Sequence, residues 1–463
     1  MRVITRIVAL ASVLFAAGPA LLVPTRAMAD DDELVLMREP AAFVDVIDAF
    51  DDHDPFDLDI SIGYVRTWEL GRIQREPGMG DPEDRRSREW LDVADYSREV
   101  NQLVFGLDVG IFRDLALYGR LPLILSDDRS LSRIGNDDPS SVLLDRSSAP
   151  MPLFDVPAGE GFRSPTRSGL DWVSVGLAWS ILNQQRDPHV PTWLIMLEGR
   201  FNIDEPMRAC RRAGGDVVCQ GGGSEPGISR GTNALRFETR GSWRDRYVEP
   251  YAGLAFQIEF PGNAADLFTQ GGNLAGYINQ RPPIQGRLTA GVAIIPWEDR
   301  QHWQRFSIDL RFTGDYVSEG RDYSPLFDAL GSSTNPYLTS PACEGVTGGA
   351  TCQAAGYEQV DFTGLTDTQA HARLGGQITL ELQAARYVRF GITTAIFHSP
   401  SYGLTQADAC NPNASSDDPG RRGTCRSGII NPHHRAVIDL PGQRFRIESL
   451  TQIDVAANVT AQF

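Results

Sequence analysis

The sequence predicts an all-β fold: a transmembrane, antiparallel, up-and-down β-barrel of about twelve strands, with long extracellular loops and short periplasmic turns. Three observations predict it. Apolar and polar residues alternate with a period of two in segment after segment, as a strand with two different faces requires. Long and short connections between those segments alternate. No stretch beyond the N-terminus has the ~18–20 consecutive apolar residues of a spanning helix, and in lipid a closed barrel is the other way to bond every backbone group internally.

The chain of 463 residues opens as an exported protein does. Arg2 and Arg6 precede an apolar run from Ile7 to Val23, and Ala27-Met28-Ala29 follows before Asp30, the order of a cleaved signal peptide over residues 1–29. Loss of Arg2, Arg6 and Arg26 with the signal takes the formal charge from −17 to −20, which argues against nucleic acid or anionic lipid as the main partner. No lysine occurs, so every basic side chain is an arginine. Residues 30–55 form an acidic periplasmic segment in which Phe43, Val46, Ile47 and Phe50 stand at helical spacing, the pattern of a short helix before the barrel at 56–463 that either plugs the lumen or packs at its periplasmic mouth, or else of a tether with no role of its own.

The strands follow in order. In "FDLDISIGYVRTW", Phe56, Leu58, Ile60, Ile62, Tyr64 and Trp68 take one face, and Arg66 interrupts it, reaching toward headgroups. The clearest hairpin sends Leu103, Phe105, Leu107, Val109 and Ile111 outward, turns at Arg113-Asp114, and sends Leu115, Leu117, Leu121, Leu123 and Leu125 outward again. Nine further segments repeat the pattern at 170–182, 191–204, 231–244, 247–260, 284–297, 302–318, 369–384, 386–399 and 444–463. The even total is what single-chain bacterial barrels have. Trp68, Trp193, Trp243, Trp297 and Trp303 stand near strand ends, where aromatic girdles meet the lipid–water interfaces. The last strand alternates Ile453, Val455, Ala457, Val459, Ala461 and Phe463 against a mostly polar file, and stops there.

Long linkers cover about 70–95, 128–168, 205–230, 261–283, 320–368 and 400–443, and short turns lie between them. All six cysteines fall in long linkers, two per linker, so local pairing predicts disulfides Cys210–Cys219, Cys343–Cys352 and Cys410–Cys425. Such bridges suit an exported protein and stabilise each loop by about 2–3 kcal/mol in the chain-entropy model. None has the close C-x2-C spacing of a zinc site, so no metal and no cofactor is expected.

With the apolar file in lipid, the opposite file lines a lumen. It holds Arg120, Glu198, Arg200, Arg236, Glu238, Arg240, Glu249, Tyr251, Glu259, Arg287, Asp309, Arg311, Asp315, Arg373, Glu381 and Arg389, together with Arg305, Arg446, Glu448 and Asp454. A twelve-stranded barrel is wider than the eight-stranded type that side chains fill and narrower than an open porin. These residues therefore either line a narrow passage for small polar or amphipathic solutes or pair across the lumen and close it. Catalysis has little to stand on. H-E-x-x-H does not occur, and His398 beside Ser399 lacks a third orienting group. The carboxylate-rich "DAFDDHDPFDLDI" lacks the glycine and terminal glutamate of a calcium loop.

The signal "RIVALASVLFAAG…AMA", the repeated hairpins and the terminal "NVTAQF" resemble a Gram-negative outer-membrane β-barrel protein over the whole mature length. That resemblance implies an outer-membrane location, contact with outer-membrane lipid, and reading of Phe463 and its alternating neighbours by the barrel-assembly machinery during biogenesis. "SGLDWVSVGLAWSILNQQRDP" is similar to the G-hydrophobic-G-D strand starts of outer-membrane transporters associated with aromatic-compound degradation. Trp172 and Val173 continue that pattern after Asp171, and Leu170 replaces its second glycine. The functional readings are a channel for a small-molecule solute, a structural or adhesive surface barrel with disulfide-pinned loops, and a surface lipid hydrolase. Planar-bilayer conductance and a lipid-hydrolysis assay separate them; the sequence leaves oligomeric state open.

Overall fold

The computed structural model describes residues 40–49, 57–76, 90–132, 134, 161–213, 215–270, 276–299, 302–335, 338, 360–411 and 431–463. Twelve strands make the barrel: β1 (Leu58–Arg75), β2 (Leu91–Phe112), β3 (Leu115–Ser132), β4 (Trp172–Leu182), β5 (Thr192–Asn202), β6 (Thr232–Ser242), β7 (Val248–Pro261), β8 (Gln285–Asp299), β9 (Gln304–Val317), β10 (His371–Ala385), β11 (Val388–Ser399) and β12 (Phe445–Gln462). Each pairs antiparallel with its neighbour in sequence, and β12 returns to β1 from Asp59↔Gln462 to Arg75↔Phe445, closing the wall. The terminal residue belongs to this seam. Phe463 N–H donates to the Leu58 carbonyl at 2.9 Å and Leu58 N–H to the Phe463 carbonyl at 3.1 Å.

Outward files are apolar and exposed: Ile60 and Ile62 on β1, Leu177 on β4, Leu254 and Phe256 on β7, Ile378 on β10 and Ile392 on β11. At the short-turn end Trp193, Trp243, Tyr247, Trp297, Trp303 and Tyr387 are exposed, and the guanidinium of Arg386 lies 5.3 Å from both the Trp303 and Tyr387 rings. That is an interfacial girdle, aromatic toward lipid and cationic toward headgroups.

The first three strands are longer than the alternation predicted. A tilted strand crosses the hydrocarbon in ~9–11 residues, whereas β1 and β3 each have 18 and β2 has 22. Above the membrane the two faces exchange character. Arg66 pairs with Glu99 at 2.6 Å on the outer face, and Arg72 with Asp95 at 3.0 Å, while Ile73, Tyr96, Leu131 and Ile447 turn inward and are buried. Water now lies outside and packed loops inside, so the segments read as linkers are strand carrying the inverse pattern. The expected strand 170–182 is interrupted at Asp171: β4 pairs with β3 over Leu115–Arg120, and Arg167–Leu170 takes over beyond Pro122, which has no N–H for the ladder.

The long connections fold into a cap over the extracellular mouth. Leu326, Leu330, Leu338, Phe362, Leu404 and Ile438 pack with the inward residues of β1, β2, β3 and β12 in one core. Besides Arg75 of β1, which donates to the Val437 and Gln443 carbonyls, three buried arginines of the connections bind this cap. Arg167 makes a bidentate pair with Asp328 (2.6 and 3.1 Å), and Asp328 also accepts from Ser164 Oγ and Cys210 N–H. Arg321 pairs with Asp367 at 3.2 Å. Arg435 donates to the carbonyls of Leu338, Val360, Pro432 and His434, tying three stretches of chain together. Burial pulls its pKa down to about 10, which leaves it a cation at neutral pH. Burial, reinforced by Arg321 and Arg435, also holds His433 well below the usual histidine range.

The hairpin Cys210–Ala213/Asp216–Cys219 carries the expected Cys210–Cys219 disulfide. Cys410 is disulfide-bonded, and Cys343, Cys352 and Cys425 lie outside the described residues.

Two measurements test this architecture. Leu254→Arg, at mid-band, is expected to cost about 2–4 kcal/mol of folding free energy in bilayers, and Leu70→Arg, above it, no more than about 1 kcal/mol; equal costs would misplace the membrane border. Arg435→Met strands four carbonyls at about 1–3 kcal/mol each. Added protease is then expected to cut the cap loops at least tenfold faster while the barrel strands stay protected.

Candidate solute passage

Register decides which side chains see the lumen, because neighbours along a strand point to opposite sides. One hydrogen-bonded row runs Glu238, Ala255, Arg287, Asp315 and Arg373 across β6 to β10, all facing inward. Arg120, Glu198, Arg200, Arg236, Arg240, Glu249, Tyr251, Glu259, Asp309, Arg311, Glu381 and Arg389 lie on the same inner file by the same register. Arg446 does not. The ladder between β1 and β12 shifts between Gly71 and Ile73, which reverses the parity of β12 beyond Leu450. Arg446 therefore points out, its guanidinium 3.9 Å from the Trp90 ring, and Glu448 is exposed.

The inward charges pair along and between neighbouring strands. Arg120 meets Asp108 at 2.6 Å; Glu238 holds both Arg236 and Arg240 at 2.6 Å; Asp315 holds Arg287 at 2.7 Å and Arg373 at 2.6 Å; Arg311 meets Asp309 at 2.7 Å. Arg230, from the loop before β6, joins Glu259 to Asp322, and Arg200 stacks on Trp172 at 4.1 Å. Pairing a charge with a neighbour on the same wall neutralises it without bridging the lumen. Glu381 accepts from Ser307 Oγ, and Arg305 reaches Glu298 at 3.8 Å.

Residues 40–49 enter this space from the short-turn end. They form one turn, closed by Val44 N–H to the Ala41 carbonyl at 2.8 Å, followed by extended chain; the helix expected here is absent among the described residues. Wall contacts replace helical bonds. Ala49 exchanges backbone hydrogen bonds with Arg113, and Asp48 pairs with Arg186 at 3.2 Å. Phe43 is 6% exposed, and its ring lies 4.4 Å from the Arg240 guanidinium, 4.5 Å from that of Arg311 and 4.5 Å from the Tyr251 ring. Its carbonyl accepts from Arg240 at 2.6 Å, and Ala41 N–H donates to Glu249 at 2.8 Å. Two glycines make room. A Cβ on Gly253 would sit 3.2 Å from the tip of Phe43, and one on Gly110 would meet the Asp48 carbonyl oxygen at 1.8 Å.

A cavity of about 180 Å³ remains between this segment and the wall, lined by Asp309, Arg311, Glu381, Arg389 and Asn458 among others. A larger crevice of about 710 Å³ lies among the extracellular loops beside Cys219, Asp266 and Phe362, away from the inner file. His398 and Ser399, adjacent on β11, face opposite sides of the wall: His398 is exposed beside Thr451 and Ser399 is buried, so they cannot act on one substrate. Sequence reading missed the inner cluster of half-buried Arg98 and Arg129 around buried Asp127, at and beyond the ends of the expected hairpin strands, and the role of Phe43, whose partners lie on β6, β7 and β9.

The fold is a closed antiparallel β-barrel of twelve strands. No family model and no curated protein matches the chain. Among solved structures it is similar to an outer-membrane channel from Pseudomonas putida F1 (7% identity, 87% of this chain and 95% of that one, TM-score 0.35). It is also similar to a Pseudomonas aeruginosa FadL homologue (8%, 92% and 92%, 0.32) and to the Escherichia coli outer-membrane protease OmpT (7%, 88% and 96%, 0.27).

The seating of residues 40–49 is directly testable. Gly110→Val places side-chain atoms where the Asp48 carbonyl lies and is expected to dislodge the segment. A spin label at position 45 should then lose its single distance to a label on the Arg113-Asp114 turn; an unchanged distance distribution would place the segment elsewhere.

Proposed function

We propose that the chain resides in the outer membrane of a Gram-negative bacterium as a non-enzymatic channel, passing small polar or amphipathic solutes through the charged lumen, with residues 40–49 as its plug. The supporting observation is how the plug is held. Its contacts are side-chain and backbone bonds to charges that already have partners on the wall, Arg240 with Glu238 and Arg311 with Asp309. Among the described residues, removing the plug therefore breaks no strand pairing and leaves neither Arg240 nor Arg311 without a carboxylate. Arginine suits such a lining, because its planar fork holds a neighbour while presenting a face to a passing ring or anion. Outer-membrane lipid around the apolar belt, the assembly machinery reading the Phe463 end, and the solute itself are the partners this reading entails.

A closed structural or adhesive barrel is the competing reading, and the buried core of the extracellular cap favours it. Purified, refolded protein in planar bilayers decides. The channel reading expects single-channel steps that grow at least severalfold when residues 30–49 are deleted. Absence of steps in both forms, with the barrel folded, rejects it.

A further inference from the structure

The plug occupies a socket that the wall builds without it. Arg240 is fixed by Glu238, Arg311 by Asp309 and by the Tyr251 hydroxyl at 3.1 Å, and Glu249 by Ser242 Oγ at 2.6 Å. Into it go three consecutive residues, Ala41-Ala42-Phe43, held at both ends. The leading N–H meets a carboxylate, Glu249; the trailing carbonyl meets a guanidinium, Arg240; the ring lies against two guanidiniums and a phenol.

Each contact would strengthen if the three residues were a free tripeptide. An ammonium in place of the amide N–H turns the Glu249 contact into an ion pair, and a carboxylate in place of the carbonyl does so at Arg240, so bonds now charged on one side become charged on both. The ring keeps its cation–π contacts, which an aliphatic side chain of equal size would lack. We infer that this socket recognises short zwitterionic peptides ending in an aromatic residue, and that Ala41–Phe43 is an internal copy of such a ligand, displaced when the solute binds.

The tether explains why a neutral, weaker copy holds the site at rest: attachment to β1 gives the plug an effective concentration that a free peptide must overcome. The inference rests on the passage reading for how a peptide reaches the socket. It goes beyond that reading by naming the solute class and by assigning the two ends and the ring to separate residues.

Calorimetric titration of Ala-Ala-Phe tests it. The refolded full chain carrying Phe43→Ala, whose socket has lost its internal ring, is expected to bind the peptide at least tenfold more tightly than the wild type. N-acetyl-Ala-Ala-Phe-amide and Ala-Ala-cyclohexylalanine should each bind that variant at least tenfold more weakly than Ala-Ala-Phe. Arg240→Met in the Phe43→Ala background should abolish the preference for the free carboxylate over the amide while circular dichroism reports an intact barrel. Failure of Ala-Ala-Phe to bind the Phe43→Ala chain, or equal binding of charged and blocked peptides, overturns the inference. Conductance of the same variant in bilayers keeps the two claims apart. Current steps without peptide binding leave the passage and remove the peptide site; peptide binding without current supports the site and removes the passage.

Discussion

Closure of the backbone hydrogen-bond ladder is the constraint on which everything else depends. An unpaired N–H or C=O in hydrocarbon costs several kcal/mol, so a strand edge exposed to lipid is untenable and β12 must find β1. The seam is among the longest in the wall, running from Phe463 at the periplasmic end to Arg75 well above the membrane. Once it closes, strand parity assigns every residue to lipid or lumen. Charge can then concentrate inside at no cost to membrane insertion, as the inner row from Glu238 to Arg373 does.

The interior handles its charge locally. Arg236 and Arg240 share Glu238, Arg287 and Arg373 share Asp315, and Arg311 leans on Asp309. Carboxylate and arginine are two residues apart on one strand or side by side on adjacent strands, so the pairs form as the wall forms. Pairs spanning the lumen would tie opposite strands together and block it. Neighbour pairing leaves the middle to whatever enters, and the entrant seen is the chain's own Phe43.

Much of this was legible in the sequence, because lipid enforces period two over the band. The strand positions, the strict alternation of long and short connections and the inner-file assignments all follow from that one rule. It fails where its cause is absent. Above the band β1, β2 and β3 are bathed in water outside and packed against loops inside, so Ile73, Tyr96 and Leu131 carry the inverted pattern of a soluble barrel. At Gly71–Ile73 a bulge, invisible to a two-residue count, moves Arg446 to the outer face. The segment 40–49 has helical spacing, yet Phe43 and Ala49 gain more from the wall than from a turn of their own. Arg167, Arg321 and Arg435 sit in loops without periodicity, and their partners are set by how six long connections fold together.

The two ends of the lumen are closed by different physics. The cap holds an apolar core and buries arginines whose removal from their partners would leave bare charges in a low dielectric, a penalty of about 3–5 kcal/mol for each broken pair. Its parts come from several connections, so opening it means unpacking them together. The plug is one strand of chain, pinned by a ring, a few backbone bonds and the ion pairs Asp48–Arg186 and Asp45–Arg389, and both arginines keep a wall carboxylate, Asp114 and Asp59, after it leaves. Transient opening is therefore much cheaper at the periplasmic end. On the channel reading proposed above, a solute that enters past the cap by loop rearrangement would meet a segment whose contacts it can replace one by one, and that stepwise exchange is cheaper than displacing a packed core.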